Sequence, residues 1–308
     1  MTRSRCLCLL PLLLALQSTR ALLPRKPPSR YFACDLDCPP LKPLHHGSGT
    51  QPANHLPTLY TNDPKQVSLW LADHVPVDGG ILGLDVESVP TGRFFRSKPT
   101  VQGSVTVQLA TPHGALVVQL LRSNGRPSRA CHPILQAVLS DESIVKVGVG
   151  IDDDCVDLYE CFGTETRSRL DLLGLQLDDD RSGLGVASLA EHLLGLELHK
   201  PKKISMSNWS LVPLSDRQLV YAARDAWVPA AVVDVLQRHD DRFQAHVLPS
   251  LLSHQRPIAE IAERRQIKRE ARKQRKLTGD HQWTLVLQAN GVDPLPLWKV
   301  PPAARKRY

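Results

Sequence analysis

The 308-residue chain has no acidic residue before Asp35, no pair of Cys-x-x-Cys elements, and no apolar run long enough to cross a bilayer. Each absence excludes something. The apolar stretch over residues 6–16 is interrupted by Pro11 and falls short of the ~20 residues that a spanning helix needs, so no stable membrane span is expected. Seven cysteines, an odd number, lie at positions 6, 8, 34, 38, 131, 155 and 161. They make no paired zinc framework, and Cys34 with Cys38 supplies at most half a metal site or a disulfide clip. The missing acids leave a basic start, Met-Thr-Arg-Ser-Arg, then the apolar stretch, then a small residue at Ala21 and a run of Arg, Lys, Pro and Ser to Arg30. A signal stretch followed by a transit stretch is the pattern of an organelle leader. Residues 1–30 are therefore expected to be a targeting leader for a plastid or mitochondrion. The alternatives are the secretory pathway, or the nucleus or cytoplasm if the leader is silent. Residues 31–56, rich in Pro, Gly, His and Ser without periodicity, read as a linker.

Charge is distributed unevenly. The formal net charge is +7 and the pI about 9.1, which favours an anionic partner without specifying a fold. Arg and Lys dominate residues 264–276, while most carboxylates lie in the middle of the chain. A basic periphery around an acidic centre suits a hydrolase that holds cations in its site and phosphates around it. Hydrophobic residues make up 42% of the chain, enough for an ordinary core.

Three acidic stations stand out. The first follows a turn-rich lead-in over residues 73–80: Ile-Leu-Gly-Leu-Asp-Val-Glu-Ser at 81–88 reads as a buried strand. Residues two apart share a strand face, so Asp85 and Glu87 point the same way. Two buried anions on one face repel and lose hydration, which is costly unless a cation joins them. Solvent-exposed strand ends also carry such pairs, so alone this is weak. Residues 104–110 and 115–121 flank Thr-Pro-His-Gly and read as a hairpin, and residues 134–139 as a short helix. At the second station an apolar strand, 144–150, runs into Ile-Asp-Asp-Asp and a helix through Tyr159 and Cys161. Acids at a helix start are favoured by capping and the dipole alone. At the third, Ser215 and Gln218 have capping-box spacing, and Tyr221 and Asp225, four apart, share a helix face.

In this order, the stations resemble the DEDDy 3′-5′ exonucleases, DnaQ-like members of the RNase H-like superfamily. The likeness is greatest to the exonuclease domain of the Werner syndrome protein and more distant to ribonuclease D. Val-Gly-Val-Gly-Ile at 147–151, Ser-Leu-Ala-Glu-His-Leu-Leu-Gly at 188–195, Ser-Asn-Trp-Ser at 207–210 and Tyr-Ala-Ala-Arg-Asp-Ala at 221–226 carry it further. The resemblance implies an α/β fold: an RNase H-like mixed β-sheet flanked by helices, with the acids gathered at one edge. It places the exonuclease domain at residues 57–239, after a disordered leader and linker and before a basic helical extension and tail at 240–308.

The resemblance also implies two divalent cations, Mg²⁺ or Mn²⁺. Asp85, Glu87 and Asp225 would hold one, and Asp85 with Asp154 the other, since oxygen-only ligands suit hard cations. Asp154 follows from counting along Gly-Val-Gly-Ile; Asp153 is the runner-up, with Asp152 and Asp157 as capping or surface acids. Tyr221 would orient the attacking water and Glu87 help to hold it. The implied reaction hydrolyses the terminal phosphodiester of a nucleic acid with a free 3′ end and releases nucleoside monophosphates, with DNA ahead of RNA. The alternatives are RNA 3′-end trimming of the ribonuclease D kind and a catalytically inactive nucleic-acid-binding scaffold.

Ser88 stands where relatives often carry an aromatic residue, and residues 89–103 form an unusually long link. Within that link, Arg93, Phe94 and Phe95 are candidate nucleic-acid contacts, the rings by stacking and the cation by touching phosphate. Lys202 and Lys203, just before Ser-Asn-Trp-Ser, are further candidates, as are Arg264, Arg265 and Lys268 on a helix over 258–276. Solvated surface charge explains each of these cations equally well. Trp209 reads as a packing residue.

Overall fold

The computed structural model describes residues 56–76, 79–89, 103–174, 185–198, 200–241, 243–253 and 255–278, with residue 289 besides. Residues 1–255 and 256–308 form separate compact units. The expected leader, the linker up to residue 55, Cys34 and Cys38, the link residues Arg93, Phe94 and Phe95, and most of the C-terminal tail lie outside the described residues.

The first unit contains β1 (Thr58–Thr61), α1 (Pro64–His74), β2 (Gly80–Val89), β3 (Gly103–Thr111), β4 (Gly114–Gln119), α2 (His132–Ser140), β5 (Ile144–Gly148), α3 (Ile151–Phe162) and β6 (Arg169–Asp171). After these come α4 (Val186–Leu194), a short α5 (Lys202–Ser205), the long α6 (Asp216–His239) and α7 (Leu248–Ser253). The strands form one mixed six-stranded sheet in the order β1-β4-β3-β2-β5-β6. β2, β3 and β4 are antiparallel neighbours, while β1–β4, β2–β5 and β5–β6 pair in parallel. This is the α/β fold expected, a mixed sheet flanked by helices.

Two local differences from the sequence reading have simple causes. The supposed lead-in at 73–80 is partly helix, because α1 runs through His74. Its start was marked in the chain: Asp63 accepts a hydrogen bond from the Lys65 amide at 2.9 Å, with Pro64 entering the first turn. The strand expected over 144–150 stops at Gly148, because Gly150 adopts a left-handed conformation, φ 75°, to start α3.

A further correction concerns the acids. They do not gather at an edge of the sheet. Their strand, β2, lies between β3 and β5, but β5 pairs only with residues 80–83 of β2. Beyond that point one side of β2 has no β5 partner, and Asp85 and Glu87 occupy this stretch. The register with β3 shifts between Glu87 and Ser88, a bulge of the kind that re-aims side chains beside functional sites.

Helix α6 covers β2, and its buried side runs from Ala222 through Val233. Gly83 permits the close approach, since a Cβ there would stand 1.8 Å from the Ala226 carbonyl oxygen. Gly83, Asp85 and Glu87 share one face of the strand by the two-residue alternation, so α6 settles beside both carboxylates. In the second unit α8 (Ile258–Thr278) is a charged helix with ion pairs along its surface, Arg264–Glu260 at 3.2 Å among them. Among the described residues no helix is long and apolar enough to cross a membrane.

Candidate metal centre

Asp85 and Glu87 from β2 and Asp225 from α6 converge. One carboxylate oxygen from each lies within 4.8 Å of the others. Helical periodicity sets Tyr221 one turn before Asp225, and its hydroxyl donates a hydrogen bond to the Asp225 carboxylate. The start of α6 is fixed by the anticipated capping box: the Ser215 hydroxyl accepts from the Gln218 amide, and the Gln218 side chain accepts from the Ser215 amide.

The fourth acid comes from α3. Asp154 is outside the three-carboxylate cluster, but its charge acts on Glu87 and that of Asp85 acts on it. Of the neighbouring aspartates, Asp153 is exposed and Asp152 pairs with the Arg169 guanidinium at 2.8 Å. Asp157 accepts from the Ser88 hydroxyl at 3.4 Å. Asp154 is thus the residue of the run whose charge acts together with those of Asp85 and Glu87.

Asp171, at the end of β6, positions this helix and was not singled out in the sequence. Its Oδ1 accepts from the Gly150 amide at 2.8 Å and from the Leu173 amide at 2.9 Å. The same turn that needs Gly150 left-handed therefore has its free N–H satisfied by a carboxylate 21 residues away.

The electrostatics are those of anions forced together out of water. Burial, then repulsion from Asp225, pushes the Asp85 carboxyl up to about 7. Burial and the charges of Asp85, Asp225 and Asp154 push Glu87 up to about 10. Burial also raises Asp154 and Asp225, and with the surrounding carboxylates it raises Tyr221, which keeps its proton. Asp85 Oδ2 is buried with no hydrogen-bond partner. A buried carboxylate oxygen without a donor, facing two further carboxylates, fits a hard divalent cation. Asp85, Glu87 and Asp225 could hold one such ion, and Asp154 could join Asp85 at a second.

One cation reaches the cluster from a place the sequence reading passed over. Lys200 Nζ lies 2.7 Å from Asp225 Oδ2 and 5.3 Å from the centroid of the Tyr221 ring. Its charge opposes the upward shifts of Asp85, Glu87 and Asp225. Lys202 and Lys203, the two chosen from sequence, begin α5 and point to solvent. Nothing in the local pattern distinguishes Lys200 from them. The segment that follows α5, Ser-Asn-Trp-Ser, is fastened to α6. Trp209 is fully buried, packs against Tyr221 with centroids 6.0 Å apart, and donates from Nε1 to the Ser205 carbonyl at 3.2 Å. The Gln218 side-chain amide donates to the Ser207 hydroxyl and the Asn208 carbonyl, both at 3.1 Å. Of the remaining candidates, Arg264, Arg265 and Lys268 lie on α8 in the second unit.

The family described as 3′-5′ exonuclease matches residues 82–239. An Arabidopsis thaliana protein named 3′-5′ exonuclease is 36% identical over 160 residues, covering 51% of this chain and 52% of the relative. The mouse bifunctional 3′-5′ exonuclease/ATP-dependent helicase WRN is 29% identical over 174 residues, covering 56% of this chain and 12% of the relative. The chain thus spans about half the length of the first relative and a small part of the second. Among solved structures, the catalytic core of RRP6 from Trypanosoma brucei superposes with a TM-score of 0.50 at 20% identity, covering 64% of this chain and 51% of that one. At that identity the likeness speaks for the fold.

Proposed function

The chain belongs to the 3′-5′ exonuclease family, and from that membership we propose that it is a divalent-metal-dependent hydrolase removing nucleoside monophosphates from the 3′ end of a nucleic acid. The observation that carries this reading is the convergence of Asp85, Glu87 and Asp225 within 4.8 Å, with Tyr221 hydrogen-bonded to Asp225 and Asp154 within the field of Asp85.

Asp85, Glu87 and Asp225 would hold one Mg²⁺ or Mn²⁺, and Asp85 with Asp154 a second. Bound there, such ions supply Lewis acidity and charge neutralisation for in-line displacement at phosphorus. The protein's own contribution is positioning. Rigid strand β2 presents two carboxylates on one face, and α6, seated on Gly83, presents the third. The Tyr221 hydroxyl keeps its proton and remains a donor, suited to orienting a water oxygen toward the terminal phosphodiester, with Glu87 as the acceptor that helps to hold that water. Water adds to phosphorus, the P–O bond to the departing 3′-oxygen of the chain breaks, and that oxygen takes up a proton.

The charge pattern supports a polyanionic substrate: a +7 chain with exposed Lys202 and Lys203 close after Lys200 in the chain. We read DNA ahead of RNA, supported by the motif likeness to the Werner exonuclease domain, with RNA 3′-end trimming as the alternative. The test is a degradation assay on the full chain with 5′-labelled single-stranded DNA, single-stranded RNA and recessed duplex, each with Mg²⁺, Mn²⁺ or EDTA. A ladder shortening from the 3′ end, abolished by EDTA and by Asp85→Asn, is the expected result, strongest on DNA. Binding to these substrates without any shortening would replace the enzyme reading with that of a nucleic-acid-binding scaffold.

A further inference from the structure

The mechanism above uses every carboxylate of the site but leaves Lys200 without a part. Its position is specific. The ammonium makes a 2.7 Å contact with Asp225 Oδ2, the Lys200 side chain is 27% exposed, and that of Asp225 is 7% exposed. A buried carboxylate is thus capped from the solvent side by one long, flexible cation. The chain just after it is held: the Pro201 carbonyl accepts from the Ile204 amide at 2.9 Å, and Trp209 and Gln218 bond to residues 205, 207 and 208, so the four-carbon side chain can disengage without Lys200 leaving the neighbourhood of the cluster.

We infer that Lys200 is a tethered counter-ion of the cluster: a positioning residue that holds Asp225 and Tyr221 when no divalent cation is bound, and that must yield Asp225 for one to load. The inference rests on the metal reading proposed above and adds to it an internal competitor. A hard cation binds carboxylate oxygen at ~2.0–2.6 Å, so an ion on Asp225 and an ammonium 2.7 Å from the same carboxylate repel each other across it in a poorly screened environment. The four-carbon stem lets the head group withdraw toward solvent. It does not have to leave the site, because the face of the Tyr221 ring, 5.3 Å from Nζ, is a second resting place for an ammonium. Two mutually exclusive partners for one carboxylate make the apparent affinity of the ion depend on how often the lysine is disengaged.

The sign of the effect separates this role from a merely structural one. If Lys200 only braced the loop, removing it would loosen the ligands and weaken cation binding. As a competitor, its removal tightens binding. The experiment is calorimetric titration of Mn²⁺ into the full chain without nucleic acid, comparing wild type, Lys200→Met, Lys200→Gln, Lys200→Arg and Asp225→Asn. If the ion pair is populated about nine times in ten, both neutral variants should bind Mn²⁺ about tenfold more tightly. Lys200→Arg should stay near wild type, and Asp225→Asn should bind more weakly. Thermal melts in EDTA identify any variant that does not fold, and either neutral variant suffices. Unchanged or weakened Mn²⁺ affinity in a folded neutral variant, beside a wild type that binds, would overturn the counter-ion role and leave the metal reading standing. A folded wild type that takes up no Mn²⁺ would overturn both.

Discussion

A Cβ placed on Gly83 would stand 1.8 Å from the carbonyl oxygen of Ala226. Strand and helix touch backbone to backbone there, and this contact lies two residues before Asp85 and one after Asp225. The catalytic carboxylates proposed here are therefore spaced by the absence of a side chain at a neighbouring position.

Gly83→Ala follows directly. The obstruction is main chain, so no rotamer change relieves it, and α6 must lift from β2. Overpacking of this kind costs about 1–3 kcal/mol, occasionally more, and here it also separates Asp225 from Asp85 and Glu87. A lower melting temperature together with loss of Mn²⁺ binding is expected. A variant with unchanged melting temperature and unchanged Mn²⁺ affinity would show that the helix is not seated by this glycine.

Asp85→Asn and Asp225→Asn should lower turnover on 5′-labelled DNA at least about a hundredfold, since each removes a proposed ligand worth several kcal/mol in the transition state. Asp85→Asn should cost little stability in EDTA at neutral pH, because it deletes one charge of a repelling set. A severe loss of melting temperature in the Asp85 variant would mean that this carboxylate is structural.

Stability of the metal-free protein should fall as pH rises. Asp85 is pushed from 3.8 to about 7 and Glu87 from 4.5 to about 10, so over that interval the folded chain retains protons that the unfolded chain has released. Their contribution is fully present below the ordinary carboxylate range, is partly lost through about pH 7, and declines further toward pH 10. Divalent cations should reverse the trend, because they require the ionised carboxylates. Melting temperatures measured against pH in EDTA and in excess Mn²⁺ should have opposite slopes across the neutral range. Parallel slopes would argue that the cation does not bind these acids.

Asp171 should matter without touching substrate. Asp171→Ala leaves the amides of Gly150 and Leu173 without their acceptor, at no more than about 1–3 kcal/mol for the part-buried Gly150 amide and little for the exposed one of Leu173, and releases the turn at the start of α3. Asp171→Asn keeps an acceptor oxygen and should restore most of the melting temperature and turnover. Equal activity in the Ala variant and wild type would remove Asp171 from the positioning of α3.

Periodicity carried much of what the sequence determined. Alternation in 81–88 put Asp85 and Glu87 on one strand face, and the helical repeat put Tyr221 and Asp225 on one helix face. Ser215 and Gln218 announced where that helix starts, and the motifs, in their order along the chain, carried the family resemblance. These features are local: each depends on residues within a turn or two of one another. The sheet's mixed pairing and flanking helices came from the family resemblance and not from any local pattern.

Tertiary structure decided the rest, because it concerns distances between segments far apart in the chain. Asp152, Asp153 and Asp154 are the same residue type, and counting along Gly-Val-Gly-Ile chose Asp154 only through the family resemblance; the packing of α3 gives Asp152 to Arg169 and brings Asp154 within the field of Asp85. Three lysines at 200, 202 and 203 have the same chemistry, and only the folded chain sets Lys200 apart by bringing it 2.7 Å from Asp225. Asp171 lies 21 residues beyond the glycine whose amide it accepts, with no local pattern linking the two. The placement of the acids on a central strand was likewise invisible, since it depends on β3 and β5 pairing on either side of β2, with β5 stopping at Gly83. Side-chain type and spacing specify what chemistry a segment can offer; burial and long-range contact select which copy of that chemistry is used.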